Sequence, residues 1–190
     1  MVSTSLRNNS DFKPVQYLNA YLPITFNENL QSIGDYAFHG DTKILSLELP
    51  ASLKTIGRYA FKYCTGLKSL LLRSDVETIG MHAFYACNAL TIYTDATDSL
   101  KGWDKYFNSS YKGVVYGCTL SEDGTYVVSV TINEKTLQHL ETATFSGPES
   151  YTYLFMGWAL SEGGEVAYTA DELKNVPIGT TLYAIWSDSF

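Results

Sequence analysis

Apolar residues recur at a fixed interval along the first half of the chain. Ile33, Ile56 and Ile79 stand 23 residues apart, each followed by a glycine (Gly34, Gly57, Gly80). Ala37 with Phe38, Ala60 with Phe61 and Ala83 with Phe84 follow at one offset, then Asp41, Cys64 and Cys87, then Ile44, Leu67 and Leu90. Residues 24–32 align without gaps on 47–55 and on 70–78, and continuing the period puts Tyr93 in the column of Ile24, Leu47 and Leu70. A period in the twenties predicts a solenoid of stacked rungs.

The pattern predicts how one rung folds. Alternation at Leu47 and Leu49 makes a short strand with its apolar side inward, and Pro50, which has no N–H to donate, limits it. Leu53 and Ile56 turn the chain back over the core, and Gly57 marks a special conformation or a close approach. Ala60 leaves room for Phe61, and Cys64 lies inside the next turn. Burial of ~5 large apolar side chains per rung, at roughly 1.5–3 kcal/mol each, is largely offset by chain entropy, so a rung needs neighbours and the stack needs caps. Residues 1–22, with Phe12, Val15, Tyr17 and Leu18, are expected to cap the first rung. Leu100, Trp103 and Phe107 stand at i, i+3 and i+7, which predicts a short helix over 98–108 closing the other end. Val114–Tyr116 is expected to add a last strand.

The texture changes near residue 118. Residues 1–118 hold 11 Lys/Arg and 10 Asp/Glu, whereas 119–190 hold 2 and 10, which accounts for the net charge of −7. Such a step is a boundary signal. Beyond it, Thr125–Ile132, Tyr151–Phe155 and Thr180–Trp186 read as strands rich in Thr, Tyr and Val, and Ser121–Gly124 supplies turn chemistry. The expected organisation is a solenoid over 1–118 and a small acidic β domain over 119–190, mainly β with short helical turns. At 45% hydrophobic and 17% charged, the composition is that of a globular chain. The acidic balance argues against nucleic acid, whose phosphates need a basic footprint. No run approaches the ~18 apolar residues of a membrane span. No leader or wall anchor is visible in the sequence, which suggests a fragment of a longer protein.

The run from Ile33 and Gly34 through Ala37, Phe38 and Ile44 to Leu47, Leu49, Pro50 and Leu53, repeated over 56–72, resembles the BspA-type leucine-rich repeat of bacterial surface proteins. The segment Gly102–Phe107 is similar to that family's usual ending. Asp41 for Cys, Ile44 for Leu, Phe26 and Tyr93 for strand Leu, and Arg73 for Pro depart from the pattern and suggest degenerate edge rungs. Phe155–Trp158, Gly163 with Gly164 and Thr181–Trp186 resemble the Listeria–Bacteroides repeat, related to internalin B-repeats, a small β-grasp-like module. That likeness covers 145–186. The first resemblance implies a leucine-rich-repeat solenoid adhering to a host surface or matrix, the second a spacer or accessory role, and neither implies catalysis.

Little in the sequence suggests chemistry. His39 and His82 occupy variable repeat positions, His139 stands apart, and no Cys or His spacing offers convergent metal ligands. Cys64 and Cys87 hold equivalent places on adjacent rungs, close enough for a disulfide but belonging to the core pattern as buried thiols. Cys118 is the cysteine expected to be exposed. The acidic residues of the second half do not alternate around a glycine as a Ca²⁺ loop requires. Catalytic, cofactor and metal sites are therefore all expected to be absent.

The strand face is the expected binding surface. With Leu47, Leu49, Leu70 and Leu72 inward, Ser46, Glu48, Ser69, Leu71, Ile92 and Thr94 point outward by the period of two. Leu71 and Ile92 would form an apolar patch there, unless the second domain or another copy covers it. The leading expectation is a non-enzymatic, extracellular or cell-surface adhesion module for a host protein or glycan. A structural stalk within a larger surface protein comes second, and a small carbohydrate-active hydrolase third.

Overall fold

The computed structural model describes residues 5–6, 24–108, 113–124, 126–140 and 154–187. The proposed N-terminal cap over 1–22 lies almost wholly outside them. Each rung contributes two short strands that pair in parallel with their counterparts in the next. On one side lie β1 (Ser5–Leu6), β3 (Ser32–Ile33), β5 (Thr55–Ile56) and β7 (Thr78–Ile79), in that order. On the other lie β2 (Ile24–Thr25), β4 (Ser46–Glu48), β6 (Ser69–Leu72), β8 (Thr91–Thr94) and β9 (Val114–Val115). Val114 and Val115 thus supply the last strand, as their apolar run predicts.

Between the two sheets the repeat columns form one core. Ile33, Ile56 and Ile79 are buried beneath one sheet, and Leu47, Leu70, Ile92 and Val114 beneath the other. Phe38, Phe61 and Phe84 stack in a column with centroids 5.1 and 5.3 Å apart and planes within 2° of parallel. Beside them the Cys64 thiol donates to the Phe38 carbonyl and the Cys87 thiol to the Phe61 carbonyl, both at 3.1 Å. Both thiols are free. Two of the glycines after these Ile residues are close approaches: a Cβ on Gly57 would meet the Asp35 backbone nitrogen, and one on Gly80 the Arg58 nitrogen.

The end of the stack differs from the expectation of a helix over 98–108. Residues 101–108 are turns, and Trp103 bridges Ile79 in parallel. The Asp104 N–H donates to the Ile79 carbonyl as Gly80 does to Ile56, so this segment is a further, degenerate rung. The i, i+3, i+7 spacing that mimicked a helical face comes from Trp103 and Phe107 entering the core at successive corners of that rung. The Trp103 indole N–H closes it by donating to the Val76 carbonyl at 2.7 Å.

The remaining strands form an antiparallel sheet: β10 (Cys118–Leu120), β11 (Val127–Thr131), β12 (Leu154–Ala159) and β13 (Thr181–Ser187), ordered β10-β11-β13-β12. The strand expected at Tyr151–Phe155 overlaps β12 at its end, and residues 151–153 fall outside the described residues. Helix α1 (Glu134–Leu140) follows β11. Asn133 begins it, its side-chain oxygen accepting the Thr136 N–H at 2.8 Å. The buried Thr136 hydroxyl accepts the Tyr116 N–H at 3.1 Å and lies 3.3 Å from the Tyr116 carbonyl, to which it donates, fastening the helix to the end of the solenoid. A 3-10 helix over Ala170–Asn175 is opened by Glu172, whose carboxylate accepts from the Thr169 N–H at 2.7 Å and hydroxyl at 2.9 Å. These two bonds hold the exposed Glu172 carboxyl below its ordinary pKa.

Candidate binding site

The strand face is largely covered. Leu47 pairs with Leu70, 23 residues on, but Leu70 pairs with Ile92, only 22 on. The last step is one residue short, and in a strand a shift of one residue exchanges the two faces. Ile92 and Thr94, expected outside, therefore lie with Leu70 and Leu72 in the solenoid interior, both fully buried. Tyr93, expected inside, takes the outward column of Leu71 instead.

That outward column is the seam between solenoid and C-terminal sheet. Tyr93 and Val115 share a core with Val127, Val130, Trp158 and Leu182, and Leu71 packs against it. Ser69, expected exposed, is buried, and so is Cys118, whose thiol lies 3.4 Å from the Val115 carbonyl. Cys118 is buried because its strand joins the core that the C-terminal sheet forms against Tyr93, Val115 and Leu71. Of the six residues expected to form the binding surface, Ser46 is half-buried and Glu48 exposed. Burial and then the neighbouring Asp123 raise the Glu48 carboxyl above its ordinary pKa. In the same Ser121–Gly124 turn, the Arg73 guanidinium fills the space that a Cβ on Gly124 would occupy.

The turn face presents a different surface. Tyr36, Tyr59, His82 and Tyr106 form one row, with successive ring centroids 4.9, 5.6 and 6.3 Å apart. His39, Tyr63 and Tyr85 form a second, at 5.6 and 5.9 Å. Tyr36 touches His39 and His82 touches Tyr85, so the rows join. The Lys62 ammonium lies between them, 5.0, 4.8 and 5.3 Å from the Tyr59, Tyr63 and Tyr85 centroids. Such cation–ring contacts are each worth about 0.5–1 kcal/mol when exposed. Among the described residues, the solenoid's exposed large hydrophobics are Tyr36 (55% exposed), Tyr63 (43%) and Tyr106 (46%), all on this face.

The backbone beneath these rings is left-handed at two recurring corners. Tyr36, Tyr59 and His82 have φ of 60°, 57° and 58°, and at the other corner Gly40, Tyr63 and Ala86 have φ of 77°, 65° and 59°. For a residue with a Cβ that conformation costs roughly 1–2 kcal/mol. The repeat alignment places Tyr36, Tyr59 and His82 in one column as variable, exposed positions. It does not reveal that the rows touch, because contact between rows depends on the turn geometry. His139, the third histidine, has no described side chain.

No group of three or more His, Cys, Asp or Glu among the described residues is placed to hold a metal ion. The thiols are protonated donors: burial pushes Cys64 and Cys118 far up and Cys87 up to about 12. No helix among the described residues is long and apolar enough to cross a membrane.

No curated protein and no solved structure matches the chain. The family model of the BspA type leucine rich repeat region (6 copies) matches residues 8–112, more than half of the sequence. With the in-register rungs, the phenylalanine column and the close-approach glycines, that match makes this chain a member of the BspA-type leucine-rich-repeat family.

Proposed function

We propose that the chain is a non-enzymatic binding module that works outside a bacterial cell and adheres to a host protein or glycan. The observation that carries this is the open turn face. A joined array of tyrosine and histidine rings stands there in a strained backbone conformation, while the C-terminal sheet covers the opposite face around Leu71, Tyr93 and Val115. Local strain tends to persist where a side chain has a task. The thiols and most of the large aromatic side chains of the core are engaged in packing, which suits a scaffold.

In this reading residues 1–118 are the recognition unit. Residues 119–190, whose part 145–186 resembles internalin B-repeats, are an accessory unit that covers part of the strand face. The test is to pass the full chain over an array of extracellular-matrix proteins and glycans. Saturable binding to any of them supports an adhesin. No binding across the array supports the stalk instead and moves the search to other parts of a parent protein.

A further inference from the structure

The C-terminal sheet carries an apolar strip on the side turned away from the solenoid. Phe155 faces inward, its ring against Trp158 and Trp186. Leu154 and Met156 flank it on the other face by the alternation of a strand, 53% and 50% exposed. Gly157 continues the strip by having no side chain. A Cβ there would run into the Val166 side chain, which lies against the strand and is itself 43% exposed. Ile185, paired with Gly157 and half-buried, points to the same face. Val166 is seated in the gap above Gly157, so packing fixes the strip in place.

The strand β12 is also at the edge of its sheet. Among the described residues its outer side is bridged at one place. There the Trp158 N–H donates to the Tyr168 carbonyl, and the Trp158 carbonyl accepts the N–H groups of Ala167 and Tyr168. Leu154, Phe155 and Met156 have no described strand beyond them. Sheet edges are commonly blunted by Lys, Pro or an inward-pointing charge. Leu154–Ala159 holds none of these, and the bulge between Phe155 and Gly157 is its one irregularity.

Charge decides what fits this edge. Beyond Lys135 the sequence has one Lys or Arg, Lys174, against seven Asp or Glu. Glu162 and Glu165 are exposed in the loop that leads from Leu160 to Val166, and neither makes an ion pair among the described residues. A second copy would bring the same negative charge to the edge and be repelled, whereas a cationic chain is attracted.

We propose that β12 binds an extended basic peptide that also carries apolar side chains. The peptide backbone adds to the sheet beside Leu154–Met156, and its apolar side chains rest on Leu154, Met156 and Val166. The acidic surface around them, Glu162 and Glu165 included, draws its Lys or Arg residues. This site lies on the C-terminal unit and does not depend on the ring array of the turn face.

The test is an anisotropy titration of the full chain with short labelled peptides. One alternates Lys and Val, one alternates Glu and Val, and the third is the Lys–Val peptide N-methylated on alternate amides. Saturable binding of the first, weakening as salt rises, and none of the other two is expected. Leu154→Thr and Met156→Thr, which change no charge, are each expected to weaken binding about tenfold, as loss of one buried apolar contact would. Glu122→Gln, in the Ser121–Gly124 turn, is expected to bind like the parent chain. Both threonine variants alter exposed side chains and suit a strand, so they retain the fold; circular dichroism checks this. No binding by the parent chain, equal binding of the Glu–Val or N-methylated peptide, or unchanged affinity in both threonine variants overturns the site. Dimerisation of the parent chain that Leu154→Thr abolishes, read by sedimentation, would assign the strip to a second copy and overturn it as well.

Discussion

The Tyr93 ring lies 6.4 Å from the Trp158 ring, centroid to centroid, with both side chains fully buried. One comes from the outward column of the solenoid and the other from an edge strand of the C-terminal sheet. Phe155 continues the contact, 5.1 Å from Trp158 and 5.3 Å from Trp186. The two sheets are therefore joined through an aromatic core, and neither side can lose its ring without leaving a cavity.

Tyr93→Ala is expected to lower stability by about 3–5 kcal/mol, the usual range for deleting a buried large aromatic side chain. Leu71→Glu, on the same seam but half-buried, should cost less. Urea unfolding followed by tryptophan fluorescence measures both. A Tyr93→Ala midpoint matching that of the parent chain would mean that the solenoid and the sheet do not share this core.

Ala86→Gly should stabilise the protein. Ala86 has φ 59° at the corner where an earlier rung has Gly40. Removing the Cβ relieves left-handed strain and is partly offset by the greater freedom of glycine when unfolded, leaving a gain of about 1 kcal/mol. The direction reverses the usual order of alanine and glycine in regular structure. A lower urea midpoint for the variant would contradict it.

The three thiols should be silent toward a disulfide reagent in the native protein and react together on unfolding. All three are buried, and Cys87 is pushed up to about 12, so thiolate is scarce at neutral pH. Counting the thiols released with and without guanidinium tests this. Rapid native-state reaction of Cys118 would show that the C-terminal sheet lifts from the strand face.

Glu48→Gln tests the carboxylate beside Asp123. The raised folded-state pKa means that ionisation of Glu48 opposes the native structure. The penalty is full above that raised pKa, fades as pH falls through it, and is gone below the ordinary value of 4.5, where both states are protonated. The amide variant should thus be slightly more stable at neutral pH and indistinguishable at pH 4, the effect staying small because Glu48 remains exposed. Melting temperatures at the two pH values decide it.

The repeat was legible because each column answers to one burial requirement, and Ile33, Phe38, Cys64 and Leu70 occupy the places their spacing predicts. The outward strand face differs from its expectation in two ways, the register of Ile92 and the cover that the C-terminal sheet lays over Leu71. Nothing local distinguishes a 23-residue step from a 22-residue one between Leu70 and Ile92, since Ile92 and Tyr93 both suit a buried strand; pairing decides it. The helix expected over 98–108 failed for a related reason, because rung corners can mimic helical spacing. Helix α1 left its signal in the N-cap residue Asn133, and the Ala170–Asn175 helix in the capping pair Thr169 and Glu172. The ring array depends on contacts between rungs, which a one-dimensional pattern does not carry.

The phenylalanine column works as a ruler. Because Phe38, Phe61 and Phe84 stack face to face at 5.1 and 5.3 Å, every added rung lengthens the molecule by the thickness of one such layer. The outer tyrosines ride on the same layers, so reach and ring number grow together. Duplicating one 23-residue unit would add one layer to the core and one ring to each outer row, so the extent of this exposed face is set by the number of repeats.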